Sequence, residues 1–225
     1  MTYSRFRRRY ARKRGGVHFR RSKYRPVGQL AHMAYRRHTF FDDLTFNTTA
    51  LGATNAASIQ TYRANSVWDP DYAAGGSTAA GWAEMDAHFQ QYFVKHADLA
   101  LTAFPTDVGY TSNEPLRVVV YPSWNQLHGT TVSKQTIENS PMWKKSRFGV
   151  PLNPVMPTLR HRFTAPSGWP TRAEDDDLSL SAGNPIRQQF FNVTAYTGGD
   201  VATSQAITVR MKITYYVLWF APKPL

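Results

Sequence analysis

The 225-residue chain contains no cysteine, so neither a disulfide nor a thiolate metal site can brace it, and the fold must rest on packing and hydrogen bonding. It has no apolar run approaching the roughly 18 residues of a membrane span. The N-terminus also lacks the apolar stretch of a secretory signal, and the chain is expected to be soluble and intracellular when made. In that setting the sequons Asn47-Thr48-Thr49 and Asn192-Val193-Thr194 read as chance matches. The third scarcity is negative charge at one end: no Asp or Glu precedes Asp42.

Positive charge fills that end. Residues 1–38 carry Arg5, Arg7, Arg8, Arg9, Arg12, Lys13, Arg14, Arg20, Arg21, Lys23, Arg25, Arg36 and Arg37. These are 13 of the 27 basic residues, which leaves 14 against all 15 acidic ones in residues 39–225, a net charge of −1. The chain divides into a cationic arm and a near-neutral body. An uncompensated cationic run repels itself and buries too little apolar surface to offset its ordering entropy, so by itself it is expected to be disordered and to need a polyanion.

The body reads as many short apolar segments divided by Gly, Pro, Asn and Asp, the punctuation of strands and turns. Residues 206–220 are the clearest strand. Ile207, Val209, Met211, Ile213, Tyr215, Val217 and Trp219 alternate there with Thr208, Arg210, Lys212, Thr214 and Tyr216, which sends one face into a core. Residues 189–196 form a second strand, and the pattern predicts others over 40–48, 58–66, 92–104, 116–121, 131–137 and 158–164. One short helix is expected in GWAEMDAHFQQYF, with Gly81 as its cap, Glu84 in its first turn and Trp82, Met85 and Phe89 on one side. About eight strands without regular alternation of strand and helix predict an all-β, two-sheet sandwich or barrel.

Five segments in this order resemble the capsid proteins of circular, Rep-encoding single-stranded DNA viruses, the circovirus-like group. They are MTYSRFRRRYARKRGG at the start, YRANSVWDPD, GWAEMDAHFQQYF, TIENSPMWKK in mid-chain and the closing ITVRMKITYYVLWFAPKPL. The resemblance runs nearly end to end. It implies an eight-strand viral jelly roll over residues 39–225, an antiparallel sandwich with a short helix between strands. Copies would close into a small icosahedral T=1 shell of about 60 subunits around circular single-stranded DNA, with the arm inside. It implies a virion protein that passes through the host nucleus during assembly, while the host-cell receptor stays unidentified.

The arm's chemistry agrees with such a role. Arginine is permanently charged and its planar fork matches phosphate oxygens, so an Arg-rich tail neutralises a nucleic-acid backbone without reading base order. Tyr3, Phe6, Tyr10, Phe19 and Tyr24, set among the arginines, add faces on which unpaired bases stack. Sixty such arms would carry on the order of 800 positive charges, enough to neutralise much of a small genome. Arg7, Arg8, Arg9, Arg12, Lys13 and Arg14 also match a nuclear localisation signal, which host import receptors would read. A mitochondrial presequence is disfavoured because the arm has no amphipathic stripe.

Catalytic and metal chemistry find little support, and no cofactor is expected. His18, His32, His38, His88, His96, His128 and His161 show no ligand spacing, and His88 and His96 read as ordinary helix and strand residues. Glu174-Asp175-Asp176-Asp177 lacks the spaced pattern of an EF-hand and reads as a solvated loop. Ser167-Gly168 has no nucleophile elbow around it. Two other classes stay open: a cellular nucleic-acid-binding module with a basic tail, against which the neutral body argues, and a cupin-type enzyme, which would need clustered His and carboxylate ligands. Sedimentation separates the first from a shell, and a metal assay tests the second.

Overall fold

The computed structural model describes residues 33–47, 56–73, 77–105, 116–142, 144–148, 158–165, 178–197 and 206–224. Its elements are β1 (Met33–Asn47), β2 (Gln60–Arg63), α1 (Trp82–Asp86), β3 (Phe89–Pro105), β4 (Leu116–Ser123), α2 (Lys134–Asn139), β5 (Lys144–Phe148), β6 (Thr158–Thr164), β7 (Leu178–Leu180), β8 (Phe190–Thr197) and β9 (Ala206–Pro222).

The alternation of the last strand organises the molecule. Val209, Met211, Ile213, Tyr215, Val217 and Trp219 of β9 are fully buried, whereas Arg210 and Lys212 between them are exposed. β9 lies between β1 and β3 and pairs antiparallel with both, in a sheet ordered β1-β9-β3-β6 with β7 beside β3. A second antiparallel sheet is ordered β2-β8-β4-β5. The chain crosses between sheets at β1 to β2, β2 to β3, β3 to β4, β5 to β6, β7 to β8 and β8 to β9. Two four-stranded sheets wound this way make an eight-strand jelly roll, with β7 as a three-residue addition.

The inner faces meet in one core, where Trp219, Tyr92, Tyr215, Leu99 and Leu101 of the first sheet lie with Tyr62, Phe191, Val193 and Val118 of the second. Each large apolar side chain taken fully from water contributes about 1.5–3 kcal/mol, which makes this the main stabilising layer. Arg63 is a buried charge beside this apolar layer. Its Nη1 donates to Asp69 Oδ2 at 2.8 Å and to the Asp69 carbonyl at 2.9 Å, its Nε donates to Gln188 Oε1 at 2.9 Å, and Tyr215 Oη donates to its carbonyl at 2.8 Å. The buried charge is therefore paired and hydrogen-bonded, as a low-dielectric interior requires.

Several expectations are corrected. β1 begins at Met33, ahead of the strand expected over 40–48, so Arg36, Arg37 and His38 already belong to the sheet. The reason is His38, which is buried and continues the inward row of Phe40, Leu44 and Phe46 where no apolar residue would be read. The strand expected over 131–137 gives way to helix α2: Ser133 caps it by accepting the Thr136 backbone N–H, and Ile137 alone is buried. The helix after Gly81 stops at Asp86, so Phe89 opens β3 instead of sharing a helical face with Trp82 and Met85. Gly81 does cap it, at φ 78°, a left-handed conformation that favours glycine. β2 keeps only four of the residues expected over 58–66, while β5 and β7 are strands that the sequence reading did not include.

Candidate nucleic-acid interface

Eleven of the thirteen expected phosphate-binding residues, Arg5 to Arg25, lie outside the described residues, as does the whole proposed nuclear localisation signal. Arg36 and Arg37 are described. Both are exposed on β1, opposite Val217 and Tyr216 of β9, and the cationic segment runs directly into this edge strand.

The two sheets differ on their outward sides. The outward side of the second sheet is covered: Ala56, Ile59, Val119, Ile137 and Tyr196 form a second apolar cluster over it. Polar bonds fasten the same layer. Thr194 Oγ1 donates to the Ala57 carbonyl at 2.5 Å, and Asn192 Oδ1 accepts the Leu127 backbone N–H at 3.0 Å and the Thr61 hydroxyl at 2.7 Å. Asn192 is fully buried, so the second sequon is a chance match.

The outward side of the first sheet carries charge. Register places Arg160, Ala100, Lys212 and Phe41 in one row across β6, β3, β9 and β1. The next row is Arg162, Asp98, Thr214 and Thr39, followed by Thr164, His96, Tyr216 and Arg37. On the other side stand Thr158, Thr102, Arg210 and Asp43, with the two threonine hydroxyls 3.4 Å apart. Both carboxylates in these rows are matched. Arg162 grips Asp98 with two bonds of 2.5 and 2.9 Å, and Arg210 grips Asp43 with two of 3.0 and 3.2 Å. These guanidinium bonds hold both carboxyls below their usual pKa. Among the described residues of these rows, five cations against two carboxylates leave a charge of +3, equal to that of Arg37, Arg160 and Lys212.

Aromatic surface lies among these charges. Phe41 is 60 % exposed with Lys212 Nζ 5.3 Å from its ring centre, and Tyr35 is 50 % exposed. His96 stacks on Tyr216 at 4.1 Å, and its pKa is lowered by partial burial first and by Arg162 second. Among the described residues no three His, Asp or Glu side chains come together as a metal site. The run Glu174–Asp177 lies outside them.

No protein-family model matches the chain, and no curated protein matches it. Solved structures do. The 60-mer BFDV capsid protein aligns over 86 % of this chain and 96 % of its own, at 13 % identity and a TM-score of 0.49. The decameric form of the BFDV capsid protein aligns over 83 % and 99 %, at 15 % identity and 0.48. Desmodium yellow mottle tymovirus aligns over 84 % and 91 %, at 10 % identity and 0.41. The likeness is one of fold.

Beyond Arg37, the sequence missed the cationic sheet face because Arg160, Arg162, Arg210 and Lys212 sit on two strands far apart in the chain, and the net charge of −1 over residues 39–225 conceals them. A detectable signal existed in β6, where Arg160 and Arg162 occupy the positions that alternate with Leu159, His161 and Phe163.

Proposed function

We propose that the chain is a structural capsid protein whose copies close into a small icosahedral shell and package single-stranded DNA through the arm. The observation that carries this reading is the joining of two parts: eleven basic residues, opposed by no acidic one, lead straight into the edge strand of an eight-strand jelly roll. The sandwich supplies a rigid wall whose loops and flanks can bury against symmetry mates, and the arm supplies charge that needs no defined base order. Arg7, Arg8, Arg9, Arg12, Lys13 and Arg14 would serve twice, binding host import receptors before assembly and phosphates after it. The role is structural, with no cofactor, and the protein's destination is the virion.

The test is sedimentation and negative-stain microscopy of the purified full-length protein with single-stranded DNA. A megadalton particle of uniform diameter that protects the DNA from nuclease is the expected result. A monomer or small oligomer that binds DNA without forming particles would instead establish the cellular binding module. Replacing Arg7, Arg8, Arg9, Arg12, Lys13 and Arg14 by Gln should abolish packaging and nuclear accumulation of a fluorescent fusion; unchanged packaging would overturn the arm's role.

A further inference from the structure

We propose that the outward face of the β1-β9-β3-β6 sheet is a second nucleic-acid surface, a phosphate track on the folded body that takes over where the arm ends. This rests on the packaging reading above and adds a site to it. Of the two sheets, the second has its outward side covered by its own chain, whereas this one presents Arg37, Arg160 and Lys212 to solvent. Its two carboxylates are already held by Arg162 and Arg210, so an approaching phosphate meets net positive charge without an unmatched anion.

The layout suits a single strand. Neighbouring strands lie about 4.8 Å apart and alternate residues about 6.7 Å apart along a strand, so Arg160 and Lys212 stand roughly 10 Å from each other across β3. Between them Ala100 offers only a methyl group, and Thr102 follows it on the same side of β3 with its hydroxyl beside that of Thr158 on β6. Arginine and lysine on both banks can each engage a phosphate, while the threonines donate to its oxygens. Phe41, at the end of the Arg160–Ala100–Lys212 row, presents an exposed ring on which an unpaired base can stack, a contact that a duplex does not offer. Continuity supports the same occupant. β1 is both the edge of this face and the direct continuation of the arm, so a strand held by the arm is delivered to Arg37.

The experiment measures anisotropy of a fluorescent oligothymidylate against a salt series, with the full-length chain diluted to unassembled subunits. The triple variant Arg37→Gln, Arg160→Gln, Lys212→Gln should bind more weakly, and its log-log salt slope should fall in magnitude by about 2, because single strands release roughly 0.7 counterion per phosphate. A charge-conserving control, Arg37→Lys, Arg160→Lys, Lys212→Arg, should keep the wild-type slope. Phe41→Ser should weaken binding at unchanged slope, since stacking releases no counterion. All three side chains of the triple variant are exposed, and an unchanged melting curve confirms its fold. Wild-type affinity and slope in the folded triple variant would overturn the proposal. So would an altered sedimentation coefficient with unchanged slope, which would make the face a contact between copies. The six-residue arm variant separates the two readings: if it loses binding while the triple variant does not, only the sheet-face site fails, and if it binds normally, the arm reading fails.

Discussion

Trp219 Nε1 donates a hydrogen bond to His38 Nε2 at 3.0 Å, with the two rings edge to face at 5.6 Å inside the seam between β1 and β9. The indole N–H can only donate, so Nε2 must be unprotonated. The other ring nitrogen, Nδ1, lies 3.0 Å from the Ala80 carbonyl, which can only accept, so Nδ1 carries the proton. The pair thus specifies a neutral imidazole of one tautomer, and protonation would set N–H against N–H in a buried site.

Stability should therefore fall on mild acidification. Burial is the largest influence on His38 and lowers its pKa, and His96 is lowered in the same direction. Below the unfolded value of about 6.5 the unfolded chain binds protons that the folded chain refuses, so stability declines as pH drops, by up to about 1.4 kcal/mol per pH unit for the buried His38. His96 is partly in solvent, where screening weakens its share. Melting temperature should fall between about pH 7.5 and about pH 5.5. His38→Gln, whose amide can both accept from Trp219 and donate to Ala80, should flatten the decline. An unaltered pH slope in that variant would show that His38 is not its source.

Truncation should distinguish residue 32 from residue 38 as the border of the folded body. Removing residues 1–32 deletes eleven basic side chains and no described strand, so the product should melt cooperatively and retain single-stranded DNA only weakly at physiological salt. Removing residues 1–38 also strips six rungs of the β1·β9 ladder and leaves the Trp219 N–H without its acceptor. The orphaned donor alone should cost about 1–3 kcal/mol. Equal melting temperatures for the two truncations would contradict the register of β1.

Asp69→Ala should be among the most damaging single changes away from the apolar core. It removes the carboxylate from a nearly buried Arg63, whose guanidinium also packs over the Tyr72 ring at 4.9 Å. Breaking one member of a buried pair typically costs about 3–5 kcal/mol, measurable as a lowered urea midpoint. A midpoint within error of wild type would show the pair to be dispensable.

Two neighbours on β9 should respond in opposite ways. Ile213 is fully buried, and Ile213→Asp would place an unpaired charge in the core and prevent accumulation of soluble protein. Lys212 is exposed on the other face, so Lys212→Glu should shift stability by no more than about 0.5 kcal/mol while weakening oligothymidylate binding. Soluble, cooperatively folded Ile213→Asp protein would refute the inward assignment.

Where a strand has one wet face and one dry face, its sequence was readable. β9 shows this over most of its length, β6 spans the expected Thr158 to Thr164, and β3 lies within a few residues of its expected span; β4 and β8, which are buried on both faces, also fall within a few residues of theirs. β5, of sequence KKSRF, was invisible because it joins β4 through backbone bonds, which need no apolar alternation. Residues 131–137 misled for the opposite reason. Val132, Thr136 and Ile137 have strand propensity, but Ser133 closes a cap on Thr136 and a single buried Ile137 anchors the turn to the second sheet. His38 was hidden because a histidine gives no hydrophobic signal until its two partners, Ala80 and Trp219, are brought to it from distant parts of the chain.

By itself the sequence determined the cationic start, the all-β class and the two faces of the closing strand, since each depends on residues adjacent in the chain. Tertiary structure decided which sheet surface would stay open. Alternation separates the two sides of a strand but says nothing about what lies beyond either side. β8 is buried on both faces because residues 56–59 and α2 fold over it, while β9 keeps Arg210 and Lys212 in solvent. That difference is set by long-range packing, and it turns a body of net charge −1 into one with a cationic face.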